Sequence, residues 1–477
     1  MRPPPRALPA IPLLCALLLF GCSGTYRDGS LYVRLEYPPP GDNVAARSAS
    51  GSGDPDPAPA LRPDRDAARP AYVQDPSNRI RIRVLAPHIP VPIEGWFDRS
   101  AGRGVISGIP PGDRIAVEVD EFDNTATTLL GRGFAQGIPL AAGESKTVPV
   151  PMYGKGTILR VCGASPAGGS GTAGDTGDGG LAGDALLGQP LAVAVGPDDS
   201  IYVSSAQYDR VRVIDRYGYI SHYAGSGPAG PLSDGAPAAT SPIGPVYDMD
   251  IGPAGELYLI TWDQQILKVD AVTGLLFILY DAQKGIFNPS IRPDLAVVDD
   301  NTIYYTNRVD NRVYLVSGGA RSDFVADNLP YQTQEGADRF NYPLKAPSGV
   351  ANAVQSSGLL FADRDNNKIK RVSFMDNLIY TEISGTITRP DRIDFDPIYG
   401  RTFFSEEFSN TIKMIDYTSG IKVIAGNGTA GYSGDGGPGA SAQLRDPSSV
   451  AVDSRGNVYI ADTGNHAIRV VLGGALP

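Results

Sequence analysis

Residues 426–471, GNGTAGYSGDGGPGASAQLRDPSSVAVDSRGNVYIADTGNHAIRVV, constrain the fold more than any other part of this chain. They read as one unit: a glycine-rich loop, an apolar strand, a tight turn at Ser454-Arg455-Gly456-Asn457, a second strand, then Asn465-His466-Ala467-Ile468 opening a third. Alternating apolar residues broken by turn residues mark short strands. A single unit of this size cannot bury its apolar faces alone, so it requires siblings stacked beside it.

The siblings are upstream. The residue opening the apolar part of the third strand recurs at Val211, Ile266, Val313, Ile369, Ile412 and Ile468, roughly every 50 residues, the spacing of propeller blades. Second strands precede these positions as IYVSS, LYLIT, IYYTN, LLFAD, TFFSE and VYIAD, and first strands lie before those. Fourth strands follow as ISHYAG, LFILYD, DFVAD, IYTEISG and IKVIAG, which leaves the sixth unit without an outer strand. TILRVCG, at 157–163, matches IKVIAG in pattern and trailing glycine. It is predicted to close the ring by pairing with the third strand of the last unit, so that no sheet edge stays open. On these residues, 155–472 resembles an NHL-repeat β-propeller, best in the last unit and in the first (GDTGDGGLAGDALLGQPLAVAVGPDDSIYVSS), and degenerate in the middle four. The expected fold is therefore all-β: a six-bladed propeller over 155–477, preceded by a smaller β domain.

That smaller domain is predicted at 78–152, where strands RIRIRVLAP, IEGWFD, GVISGI, RIAVEVDEFD and SKTVPVPM alternate with turns. Its IPPGDRIAVEVDEFD and AAGESKTVPV segments resemble the β-sandwich modules similar to carboxypeptidase regulatory-like domains. GSLYVRLEY, at 29–37, reads as an additional strand of the same module. Between them 38–77 is Pro-, Ala-, Asp- and Arg-rich and too poor in apolar residues to offset chain entropy, the composition of a disordered linker.

The N-terminus reads as a targeting segment over 1–21: basic Arg2 and Arg6, then an apolar run from Ile11 to Phe20 too short to span a bilayer. Leu19-Phe20-Gly21-Cys22 resembles a bacterial lipobox. The resemblance implies lipidation at Cys22, with Ser23 rather than Asp pointing to the outer membrane of a Gram-negative envelope, and 22–77 as tether. With 41 basic against 52 acidic residues the chain is acidic, which argues against nucleic acid and against contact with anionic lipid beyond the anchor. Once Cys15 is removed and Cys22 lipidated, Cys162 is left alone, so an intrachain disulfide is ruled out and a buried inert thiol is expected.

Motifs of chemistry are sparse. Gly169–Gly174 and Gly426–Gly431 both satisfy GxGxxG, but each leads through GDGG into a strand, leaving no helix N-terminus for a pyrophosphate. Asp178 and Asp435 in the GDGG segments read as turn-forming carboxylates, since one per loop is far from a calcium shell. The polar residues ending the second strands carry more. Second-to-third and fourth-to-first connections of a propeller share one face, so Thr261, Asn307, Asp363, Glu406 and Asp462 should ring it. Tyr208, Asp209, Trp262, Arg308, Asp310, Arg364, Asp365, Glu407, Phe408, Asn465 and His466 lie beside them. Aromatic residues among mixed charges suit a binding surface, and the expected function is non-catalytic recognition of an envelope protein, peptide or glycan, without cofactor. Asp462 and its equivalents also suit a bracing role, bonding the loops that every repeat needs.

The alternative implied by the resemblance is a calcium-dependent lactonase or hydrolase at the channel mouth, with Asn307, Asp363, Glu406 and Asp462 as metal ligands. Peptide-amidating lyases of similar fold use several histidines on zinc; here His88 falls in the smaller domain, His222 in an outer strand and His466 in a top loop, so the three cannot gather. No Ser–His–Asp or Cys–His arrangement can be assembled either.

Overall fold

A computed structural model describes residues 29–36, 77–101, 103–163, 173–281, 292–326, 336–353, 358–382 and 386–476. The lipobox with Cys22, nearly all of the linker, and Gly169–Thr172 of the first glycine-rich loop lie outside them.

Seven strands form the N-terminal sheet: β1 (Gly29–Glu36), β2 (Arg79–Ala86), β3 (Ile89–Asp98), β4 (Arg103–Ile109), β5 (Gly112–Phe122), β6 (Leu129–Leu140) and β7 (Ser145–Gly154). Hydrogen bonds run through them as one sheet in the order β3-β2-β5-β6-β7-β1-β4. Strand β1, remote in sequence, enters between β4 (antiparallel) and β7 (parallel). The long β6 meets β7 only at Gly131–Gly133, and beyond this corner the two diverge. Gly133 makes the corner: a Cβ there would sit 2.6 Å from the Pro151 carbonyl oxygen, closer than any side chain tolerates. Folded back at this point, the sheet encloses one apolar core, with Leu31, Val33, Ile109 and Val150 against Ile82, Val84, Val117 and Val119.

The remainder is six small sheets in a ring. The first strand of each blade is innermost: Pro190–Val195, Val246–Ile251, Leu295–Asp299, Val350–Ala353, Ile393–Asp396 and Pro447–Val452. Second strands end at Ser205, Thr261, Asn307, Asp363, Glu406 and Asp462, as the repeat predicts. The sixth sheet is completed by β8 (Ile158–Cys162), which pairs antiparallel with Ala467–Val471, Leu159 opposite Val470 and Cys162 opposite Ile468. The ring closure expected from TILRVCG is thus the observed one. Cys162 is buried, and burial pushes its thiol up to about 12, which makes it inert. Three strands were not expected from the sequence: β6 in the N-terminal sheet, and Ala236–Pro237 and Ala337–Asp338, which add to the outer edges of blades 2 and 4.

The first strands of neighbouring blades do not pair, so their backbone N–H groups need other acceptors. Side chains of the preceding blade supply them. Leu295 N donates to Asp248 (2.8 Å), Val297 N to Asp250 (2.7 Å), Val350 N to Asp294 (2.7 Å) and, across the closure, Val193 N to Ser449 (3.2 Å).

The N-terminal sheet leans on the face carrying the first-to-second turns. Arg455, in the turn that reads from sequence only as a hairpin, pairs with Glu118 (2.6 Å) and Asp120 (2.7 Å) of β5. Burial opposes ionisation of Asp120, yet Arg455, Arg132 and Arg81 around it hold its carboxyl well below the usual range. This contact leaves the opposite face, here the top, free of the N-terminal sheet.

Candidate functional site

The top face is built from left-handed backbone. At each second-to-third corner one residue has positive φ: Asp209, Gln264, Asn311, Asn367, Asn410 and His466. At each blade entry the residue before a proline does too: Gln189, Gly244, Arg292, Ala346, Arg389 and Asp446. Such geometry costs a non-glycine residue on the order of 1 kcal/mol, and here it is held by stitches between blades. Ala346 N donates to Asn311 (2.7 Å), Arg389 N to Asn367 (2.7 Å), Asp446 N to Asn410 (3.0 Å) and Gln189 N to His466 Nδ1 (3.1 Å). His466, expected to face a ligand, is therefore the stitch across the ring closure. Burial and nearby Arg445 lower its pKa, which keeps the ring nitrogen an acceptor.

The carboxylates ending the second strands brace the same corners. Asp363 accepts from Lys345 N (2.8 Å), Tyr342 Oη (3.0 Å) and Asn366 (2.8 Å). Glu406 accepts from Thr388 N (2.7 Å) and pairs with Lys413 (2.8 Å), while Asp462 accepts from Arg445 N and Asn465 (both 2.8 Å). Asn307 bonds Asp310 (2.8 Å), whose carboxylate also takes the Tyr314 hydroxyl. These four residues, expected as a calcium set, are thus held in four separate latches and do not converge. Among the described residues no group of three or more His, Cys, Asp or Glu is placed to share a metal ion. Asp178 and Asp435 are likewise structural, each ion-paired at 2.7 Å with a buried arginine of the third strand, Arg212 and Arg469. Each arginine also donates to two loop carbonyls, which pins the glycine-rich loop.

The other predicted residues separate into two groups. Tyr208 is half-buried, its ring against Gly188, and Asp209 and Asp310 shape their own corners. Arg308, Arg364, Asp365, Glu407 and Phe408 come together over blades 3 to 5, joined by two arginines, Arg292 and Arg389, and one aspartate, Asp391, absent from the expected set. Arg308 pairs with Asp391, Arg292 with Glu407 (3.1 Å), and Asp365 takes both Arg364 (3.1 Å) and Arg389 (3.2 Å). The Phe408 ring is 61% exposed and contacts two guanidiniums, Arg364 at 5.1 Å and Arg389 at 4.5 Å, within cation–π range. On blade 2 the half-buried Trp262 stacks on Tyr247 (5.3 Å, 21°), and Tyr247 itself feels the charges of Arg292, Arg392 and Arg308. A sequence signal for the missing members exists: Arg-Pro-Asp recurs at Arg292-Pro293-Asp294 and Arg389-Pro390-Asp391, both at blade entries.

Beneath this cup Arg392 closes the top of the channel. It bonds Asp294, pairs with Asp248 (3.3 Å), and donates to the carbonyls of Tyr247 (2.7 Å) and Pro293 (2.9 Å), joining blades 5, 3 and 2. Burial, with Asp294 beside it, pushes the Asp248 carboxyl well up. Below lies a channel cavity of about 430 Å³ between the first strands. Its carboxylates Asp250 and Asp394 are pushed up to about 6 and about 7, by burial first and by neighbouring aspartates second for Asp394. A carboxyl whose folded pKa is raised stabilises the fold below its unfolded pKa and loses that contribution as pH rises through the folded value. Replacing Asp394 by Asn should leave stability at pH 4 unchanged and raise it at pH 8 by about 1–3 kcal/mol, read by urea unfolding. A gain of equal size at both pH values would contradict this.

Comparison with a family model agrees with the repeat. The NHL repeat model matches residues 444–471, within the glycine-rich unit at 426–471. No curated protein matches the chain by sequence. Among solved structures, the chain is similar to a protein of unknown function from Bacteroides thetaiotaomicron (12% identity, TM-score 0.48, covering 84% of this chain and 92% of that one). It is also similar to an auxiliary nutrient binding protein from Bacteroides ovatus (14% identity, TM-score 0.46, covering 85% and 92%). A third is a gluconolactonase from Xanthomonas campestris (14% identity, TM-score 0.41, covering 60% and 86%). At these identities the likenesses assign no ligand. What the fold and the repeat define together is an all-β chain with a six-bladed propeller carrying an NHL repeat.

Proposed function

We propose that the propeller is a non-catalytic binding module whose ligand sits in the cup on its top face, over blades 2 to 5. The observation that carries this reading is Phe408, a large apolar ring left 61% exposed and contacted by two guanidiniums. The other polar residues of these corners, among them Asn307, Asp363, Glu406, Asp462 and His466, are engaged in stitches and latches, whereas Phe408 and the arginines around it present aromatic area and charge. Exposed aromatic and arginine side chains together are the composition of interaction hot spots. The geometry gives the calcium-dependent hydrolase no comparable support, because its four residues are each engaged in bracing a loop.

The test is a binding screen of the purified chain against glycans, peptides and envelope extracts, repeated with a Trp262→Ala/Phe408→Ala double variant. A ligand should be found whose affinity drops at least tenfold in the variant, with the melting temperature within a few degrees of wild type. A ligand bound equally by both would remove the top face as the site.

A further inference from the structure

Resting on that reading, we infer that the cup recognises a carboxylate-bearing oligosaccharide, its acid groups paired with the arginines of blades 3 to 5 and its sugar rings laid on Trp262 and Phe408. Four guanidiniums, Arg292, Arg308, Arg364 and Arg389, share three carboxylates there, Asp365, Asp391 and Glu407. That leaves a positive excess at the mouth of a chain whose formal net charge is −11. The carboxylates do not exhaust the donors: the Nε atoms of Arg308 and Arg364 are buried without a hydrogen-bond partner. Mutual repulsion shows in the same place. Burial first, then Arg364, Arg392 and Arg292, pushes Arg308 down to about 9, the direction an additional anion would reverse. Arginine is suited to that anion, because its planar fork matches a carboxylate with two parallel N–H bonds. Arg292 and Arg389 keep side-chain exposures of 48% and 41%, so both remain within reach from solvent.

The aromatic residues argue for a saccharide over an acidic peptide. The stack of Trp262 on Tyr247 fixes an indole beside the arginines, and rigid aromatic rings present contact area at small entropic cost. An extended peptide commonly binds by adding a strand to an open sheet edge. The cup offers none, since the innermost strands bond side chains of the neighbouring blade and β8 occupies the last blade's free edge.

Oligogalacturonate, its carboxyl-reduced neutral counterpart and poly-glutamate are the probes, titrated calorimetrically into the full chain. Oligogalacturonate should bind at least tenfold more tightly than the reduced sugar and weaken as salt is raised, and Arg292→Gln or Arg389→Gln should abolish the preference. Phe408→Ala should weaken the acidic sugar while leaving the fold intact by circular dichroism. Equal, Phe408-dependent binding of both sugars would overturn the acid-group inference and leave the top-face reading standing. Poly-glutamate bound as tightly as the sugar would overturn the saccharide assignment. Absence of Phe408-dependent binding by any probe would also overturn this inference, while the top-face reading would still rest on the broader screen.

Discussion

Replacing Arg392 with alanine should destabilise the protein by about 3–5 kcal/mol at pH 7, the cost of removing one partner from a buried charge network. Arg392 belongs to blade 5, but its partners are Asp294 and the Pro293 carbonyl at the entry of blade 3, and Asp248 and the Tyr247 carbonyl in blade 2. Without the guanidinium two buried carboxylates face each other with no counter-charge. Asp248, whose carboxyl burial already pushes well up, loses the charge that opposes that shift. Its folded pKa then lies still further above the unfolded one, so the variant is most stable at low pH and loses stability as pH rises. The gap between wild type and variant should therefore narrow from pH 7 to pH 4. Urea unfolding at the two pH values reads it, and a loss under 1 kcal/mol at pH 7 would mean that the channel top is not held this way. Arg392→Lys should fall between the two, since it keeps the charge without the fork that reaches four acceptors.

The second large effect concerns the ring closure. A propeller begun at Lys155 should be monomeric, and one begun at Gly163, lacking β8, should associate or unfold. Ile158, Leu159 and Cys162 are fully buried, and Val161 nearly so. At about 1.5–3 kcal/mol for each large apolar side chain, their loss rivals the whole stability of a typical domain, roughly 5–15 kcal/mol. The exposed edge of Ala467–Val471 would also become a template for another chain. Both fragments lack the N-terminal sheet, so their difference isolates the strand. Light scattering after size exclusion measures it, and a synthetic peptide spanning 157–163 should restore the monomer by supplying the strand in trans. A shorter fragment that stays monomeric and melts with the longer one would contradict the role given to β8.

The legibility of this fold in its sequence follows from locality. Strand alternation, the hairpin turn at 454–457 and the trailing glycine shared by TILRVCG and IKVIAG all act within a few residues, so blade count and closure could be read from them. The bracing roles were half legible: Asp462 reads as a loop brace because its partners Arg445 N and Asn465 are near in sequence. The stitching role of His466 was not legible, because its partner, Gln189 N, comes from the opposite end of the ring.

By itself, then, the sequence determined an all-β chain with six repeated units and a strand borrowed from before the first, because these depend on backbone periodicity and on each unit's need to bury its faces. The tertiary structure alone decided which polar residues are spent on holding the ring and which gather around the exposed Phe408. Asn307, Asp363, Glu406 and Asp462 are consumed by latches, whereas Arg292, Arg389 and Asp391 join Arg308, Arg364, Asp365, Glu407 and Phe408 in one cup. The physical reason is that electrostatic and stacking contacts act through space, across blades that closure brings together from positions far apart in the chain.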